Sequence, residues 1–234
     1  MKIAILGYGK MGKLIEKSAL ERGHEIVSVI DSAEKSDFNG AQACIDFSHP
    51  DAVLDNVEKA AKSQTNIVIG TTGWEEQSGD VEKLVSGAGI GCVYSPNFSL
   101  GVQLFLRIVK HAAALMDSYA QYDVSGIEMH HREKVDSPSG TAKAIAKSLV
   151  EGLKRKELAV YHPGERRIEE NELHFSSLRC GQIPGTHSVI FDSLIDSITL
   201  THEAKNRSGF ALGAVAAAEM IGDKKGLFTF EELL

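Results

Sequence analysis

The sequence predicts an α/β protein, with a doubly wound parallel sheet in its N-terminal part and an α+β domain with an open mixed sheet after it. Three observations carry this. The first part of the chain alternates short apolar β-rich runs with helical stretches, which is the order of a parallel sheet covered on both faces. A glycine-rich turn separates the first strand from the first helix. Past Pro96-Asn97-Phe98 the alternation stops, and strand-like runs come to follow one another without intervening helices, as in an antiparallel or mixed sheet.

Each element has its reason. Lys2 to Leu6 is a β-run that ends at Gly7. A helix fits Lys13 to Arg22, where Leu14, Ile15, Ala19 and Leu20 form an apolar face and Gly23 ends it. Glu25 to Ile30 is the second strand, closed by Asp31, and Ala43 to Phe47 is the third. Pro50 and Asp51 open a helix to about Ser63. Asn66 to Ile69 and Gly91 to Tyr94 are further strands, the first followed by the turn Gly70-Thr71-Thr72-Gly73. A long helix over Gly101 to Met116 leads to a strand, Tyr122 to His130, and a helix from Ser139 to about Lys154. Arg155 to Asn171 is polar and reads as a solvated arm. Leu173 to Cys180, His187 to Asp192 and Ser197 to His202 are the consecutive strands, and Ser208 to Ile221 is an Ala-rich helix. The expected division is residues 1–98, residues 99–206, and a C-terminal helix in 207–234 that returns to the first domain.

Composition narrows the function. The 234 residues carry 25 Lys and Arg against 32 Asp and Glu, a net charge of −7, which argues against a nucleic-acid partner. Hydrophobic residues at 43% are enough for a packed core. No apolar run approaches the ~18 residues of a membrane span, so no membrane role is expected. Cys44, Cys92 and Cys180 form no CxxC and read as buried free thiols of a cytoplasmic protein.

Gly7, Gly9 and Gly12 form G-x-G-x-x-G between a strand and a helix, with Tyr8, Lys10 and Met11 filling the loop. The first glycine permits the tight turn, the second lets backbone approach a pyrophosphate, and the third lets the helix pack close. In that context the first domain is Rossmann-like. Asp31 lies about 20 residues on, where a carboxylate binds the adenine-ribose hydroxyls and repels a 2′-phosphate. NADH is therefore the preferred expectation, and Lys35 keeps NADPH open. Gly70, Thr71 and Thr72, and Ser95, Pro96, Asn97 and Phe98, follow parallel strands at the edge where ligands of such sheets bind. Phe47, also at a strand end, either packs against a nicotinamide ring or is a plain core aromatic.

The densest chemistry runs from Glu128 to Ala142: Glu-Met-His-His-Arg-Glu-Lys-Val-Asp-Ser-Pro-Ser-Gly-Thr-Ala. His130 and His131 are adjacent on a strand and point to opposite faces, so they are poor joint metal ligands, and no metal is expected. A histidine near Lys134 suits acid–base work, and the helix start at Gly140 and Thr141 suits a carboxylate. A second dehydrogenase type acting on another imine or amino acid, a nucleotide sensor, and a hydrolase or lyase remain as rival readings; the first shares the dinucleotide domain and differs only in the His130 to Thr141 stretch.

That stretch resembles the signature E-x-H-H-x-x-K-x-D-x-P-S-G-T-A of the 4-hydroxy-tetrahydrodipicolinate reductase (dihydrodipicolinate reductase) family of lysine biosynthesis. Gly70 to Trp74, Arg179 to His187 and His202 to Ala211 are similar to three further family runs. The resemblance spans essentially the whole chain. It implies NAD(P)H-dependent reduction of 4-hydroxy-tetrahydrodipicolinate to tetrahydrodipicolinate in the diaminopimelate route. It implies His130 as acid/base residue, Lys134 as proton donor, and His131, Gly140 and Thr141 as holders of a small dicarboxylate substrate. It also implies a homotetramer built on the second domain's sheet. Two departures stand out: the first glycine loop is one residue shorter than the family's usual G-A-x-G-R-M-G, and the chain is shorter than many members before Cys44.

Overall fold

The computed structural model describes residues 1–31 and 37–234. Lys35 lies outside the described residues. The chain forms two compact units, Met1–Leu100 with Ser208–Leu234, and Gly101–Arg207.

The first unit holds a six-stranded sheet, β1 (Lys2–Leu6), β2 (Glu25–Ile30), β3 (Ala43–Asp46), β4 (Asn66–Ile69), β5 (Gly91–Tyr94) and, beyond the expected strands, β11 (Gly226–Thr229). The order is β11-β5-β4-β3-β1-β2, with every pairing parallel. Strand alternation sends Ile3, Ile5, Ile45, Val68 and Val93 to one face, where they meet Ile15 and Ala19 of α1 (Lys10–Glu21) and the alanines of α6 (Ser208–Ile221). Ala4, Leu6, Cys44, Ile67, Ile69 and Cys92 go to the other, against α2 (Val53–Lys62) and α3 (Ser78–Ala88). Both faces are thus covered, which is why the strands lack polar alternation. Burial pushes the Cys44 and Cys92 thiols up, and they are inert core groups.

Several boundaries move. α1 starts at Lys10, directly after the glycine loop, rather than at Lys13. The helix expected from Pro50 to about Ser63 is present, but its first turn, Pro50–Ala52, is 3-10 and runs into α2. The tail after α6 is more than a helix: β11 extends the sheet, and α7 (Phe230–Leu233) follows, opened by a reciprocal cap between Thr229 and Glu232. Cys180 is exposed, not buried, because it follows the end of its strand.

The second unit holds a five-stranded mixed sheet of β6 (Asp123–His130), β7 (Leu158–Val160), β8 (Glu172–Arg179), β9 (Thr186–Asp192) and β10 (Ser197–Glu203), in the order β10-β9-β6-β8-β7. β7 lies inside the polar arm, so that arm is partly sheet. Val124, Leu173, Phe175, Val189 and Phe191 pack under α4 (Leu100–Met116) and α5 (Gly140–Gly152). The other parity carries half-buried Ser125, Ile127 and Met129, and exposed Leu178. No helix among the described residues is long and apolar enough to cross a membrane.

Candidate active site

In the first unit the strand order turns at β1, with β2 on one side and β3 on the other, so the loops after β1 and β3 border one crevice. Gly7 adopts φ +84, and a Cβ there would lie 2.5 Å from the Phe47 carbonyl oxygen. A Cβ on Gly12 would lie 2.2 Å from the Gly7 carbonyl oxygen, so α1 packs tightly on its own loop. A Cβ on Gly9 would meet open space, and Gly9 caps α1 without a side-chain acceptor. α1 also has no acid in its first turn. An anion is thus offered amides without a competing carboxylate.

A cavity of about 430 Å³ opens there, lined by Gly7, Gly9, Ile30, Asp31, Phe47, Ser48, His49, Asn56 and Lys59 among others. Asp31 accepts a hydrogen bond from the Tyr8 amide at 2.8 Å, which places the carboxylate beside the glycine loop. The Tyr8 hydroxyl bonds Glu16 instead of facing the cavity, and that bond raises the phenol's pKa. Lys10 is exposed in the first turn of α1, and Met11 packs on the core.

The other strand-end residues divide. Thr71 donates to Asp46 at 3.1 Å and accepts from the Ser48 amide at 3.0 Å, so its side chain braces the β3 loop. Asp46, fully buried, also accepts from Ser48 and from Asn56. This network escaped the sequence reading, because a lone Asp ending a strand carries no signature. Gly70 lies under the Phe47 ring, where a Cβ would come within 2.1 Å of it. Thr72 is exposed. Ser95 and Asn97 bond each other across a tight turn around exposed Pro96. The Phe98 ring is 2% exposed and packs at 5.1 Å on Phe230, so it is core rather than cavity wall.

In the second unit the sheet itself builds the chemistry. Glu128 and His130 are two apart on β6 and share its buried face. The register sets Glu128 opposite Ser177 of β8 and His187 of β9, and His130 opposite Arg179. Oε1 of Glu128 accepts from the Ser139 amide at 3.0 Å, Ser177 Oγ at 2.7 Å and Arg179 at 2.8 Å. Oε2 lies 2.9 Å from His130 Nδ1, an ion-pair contact outside hydrogen-bond geometry, and neither atom has a hydrogen-bond partner among the described residues. Burial works to raise the Glu128 pKa, but His130, Ser139, Arg179 and Ser177 outweigh it and hold the carboxyl well below the usual range. His187 packs edge-on to His130 at 5.2 Å. Burial, then the charge of His130, pushes His187 down to about 4, so it is neutral at pH 7.

The loop beyond carries the cations. Lys134 pairs with Asp136 at 2.7 Å, and that partner lowers the Asp136 pKa. Arg179 also donates to the Asp136 carbonyl at 2.6 Å. Ser139 caps α5 by accepting from the Ala142 amide. A Cβ on Gly140 would meet open space at that helix start. His131 is half-buried just past the end of β6, and Thr141 stands in the first turn of α5. Glu128, Arg179 and His187 had no assigned role in the sequence reading, although the alternation of Glu128 and His130 on one strand could have joined them.

Glu128, His130 and His187 bring one ligand-type atom each within 4.8 Å of one another. The set suits protons better than a cation, since Arg179 already donates to the same carboxylate.

A glycine-cradled crevice in the parallel sheet of one unit and an acid–base cluster in the other define a pyridine-nucleotide oxidoreductase. Two family models match, dihydrodipicolinate reductase N-terminus over residues 1–98 and dihydrodipicolinate reductase C-terminus over residues 101–234. The chain belongs to the dihydrodipicolinate reductase family of lysine and diaminopimelate biosynthesis. It is 39% identical over 237 residues to the 4-hydroxy-tetrahydrodipicolinate reductase of Christiangramia forsetii, covering 100% of this chain and 98% of that one. The Cupriavidus necator enzyme of the same name is 36% identical, covering 94% and 83%. Among solved structures, a dipicolinate-bound dihydrodipicolinate reductase from Paenisporosarcina sp. TG-14 superposes with a TM-score of 0.82 at 25% identity, covering 100% of this chain and 99% of that one.

Proposed function

We propose that this chain reduces 4-hydroxy-tetrahydrodipicolinate to tetrahydrodipicolinate with NADH in preference to NADPH. The observation that carries the reading is the buried Glu128–His130 contact beside Lys134 and the start of α5. Gly7, Gly9 and Gly12 would hold the pyrophosphate, and Asp31 the ribose hydroxyls. When bound, the nicotinamide supplies the hydride.

The chain's own residues do the rest. The 4-hydroxyl leaves as water, and Lys134, positioned by Asp136, donates a proton from Nζ to the substrate that has taken up the hydride. His130 acts as acid/base residue. His131 and the start of α5 at Gly140 and Thr141 hold the carboxylates, as charge-assisted donors suit a dianion. The dipicolinate in the Paenisporosarcina structure is a small planar dicarboxylate, which supports this substrate class. The half-exposed face of the second sheet supports self-association of the chain, read as the homotetramer of a cytoplasmic biosynthetic enzyme.

The test is absorbance-followed oxidation of NADH and NADPH, with substrate made in place from pyruvate and aspartate semialdehyde by the preceding synthase. Fast oxidation, quicker with NADH, is expected. A folded, NADH-binding protein that oxidises neither cofactor would overturn the reading.

A further inference from the structure

We infer that Glu128 is a positioning residue that fixes the tautomer of His130, keeping its neutral ring protonated at Nδ1 and leaving Nε2 bare. The inference deepens the proposed function, since it rests on His130 being the acid/base residue. Glu128 touches no reacting atom; it acts through the imidazole.

The argument is one of donors and acceptors. The Oε1 side of Glu128 is saturated by three donors: the Ser139 amide at the start of α5, and the Ser177 hydroxyl and Arg179 guanidinium of β8. Those donors fix the carboxylate in place. The Oε2 side is left with one close neighbour, His130 Nδ1 at 2.9 Å; His187 Nε2 stands at 3.7 Å. Glu128 is fully buried, so bulk solvent is kept from that oxygen. An ionised carboxylate only accepts, and at 2.9 Å it repels a bare nitrogen lone pair, so the ring nitrogen nearest it carries the hydrogen. A proton on Nδ1 of a neutral ring leaves the lone pair on Nε2. Nε2 stands on the Gly185 side of the ring, where an added Cβ would come within 3.0 Å. The same carboxylate anchors the start of α5 through Ser139, and Arg179 ties it to the loop of Lys134 through the Asp136 carbonyl. One buried anion therefore registers the imidazole, the helix start and the cationic loop together.

Glu128→Gln makes the sharp test. The three donors require an oxygen at the Oε1 position, so the new amide nitrogen must face His130 Nδ1. An NH2 group there turns Nδ1 into an acceptor and moves the proton to Nε2. Imidazole nitrogen shifts in [15N]histidine-labelled protein read the tautomer directly, with His130→Gln assigning the signal. The native ring is expected as the Nδ1–H form and Glu128→Gln as the Nε2–H form. kcat should fall by about 10²-fold or more, as when an orienting carboxylate is lost behind a catalytic imidazole, with KM for the dicarboxylate changed less than about threefold. A neutral native ring protonated at Nε2 would overturn the inference without any variant, so it stays testable if Glu128→Gln fails to fold. An unchanged tautomer in Glu128→Gln would also overturn it. The activity of His130→Gln separately decides the role of His130: near-native kcat there defeats the acid/base reading, whatever tautomer the ring holds.

Discussion

The Asp31 carboxylate accepts the Tyr8 amide at 2.8 Å, so the end of β2 is tied to the glycine loop between β1 and α1. The bond holds a negative charge at the part of the crevice proposed for the ribose. Asp31→Asn keeps an acceptor for Tyr8 and removes the charge. The ratio of kcat/KM for NADH over NADPH should drop by about tenfold, equal to about 1.4 kcal/mol. Parallel initial rates with the two cofactors check it, and an unchanged ratio would clear Asp31 of any part in the preference.

Lys134 sits 2.7 Å from Asp136 on the loop after β6 and is the proposed proton donor. Lys134→Ala should lose kcat by about 10²–10⁴-fold, the range for a missing general acid. Steady-state kinetics at saturating substrate decide this. Near-native kcat would take the role from Lys134.

Gly140 opens α5 with free space where a Cβ would go. Gly140→Val projects a branched side chain into the place proposed for a substrate carboxylate. KM should rise by about tenfold or more, a loss of the order of one charge-assisted hydrogen bond, with little change in melting temperature. Calorimetric titration with dipicolinate would show the same weakening, and unaltered affinity would move the carboxylate site elsewhere.

Two buried groups make stability depend on pH with the same sign. Burial and then His130 push His187 down to about 4. Unfolded His187 takes up its proton near 6.5, so between about 6.5 and 4 the unfolded state binds more protons and stability falls as pH falls. The gap corresponds to ~3 kcal/mol. Glu128, held well below the usual range, continues the loss below about pH 4.3, where the unfolded carboxyl protonates. Denaturant midpoints from pH 7 to 4 should fall, and His187→Asn should flatten the upper part of that fall. A native midpoint flat from 6.5 to 4 would contradict it.

Much of this architecture was legible where local pattern and tertiary demand agree. The apolar runs of β1, β3, β4 and β5 are buried on both faces, and they read as strands in the sequence. α3 was missed because Ser78, Gly79, Ser86 and Gly87 weaken its helical signal, and its packing against the sheet decides instead. β11 is four residues after Lys224 and Lys225, too short to show a period. α7 did carry a mark, the Thr229-x-x-Glu232 cap. At the site, motif residues came through by their spacing. The partners of Glu128 did not, because the register that sets Ser177 and His187 beside it joins strands far apart in the chain.

The first unit is assembled from both sides of the second. During synthesis, Gly101–Arg207 therefore leaves the ribosome before α6 and β11 exist. Until Ser208–Leu234 emerges, the face of Ile3, Ile45 and Val93 lacks its alanine helix, and β5 is an unpaired edge. The nucleotide unit is thus bound to mature after the unit that precedes its closing segment, and a nascent chain paused in that interval presents a bare apolar surface to holdase chaperones.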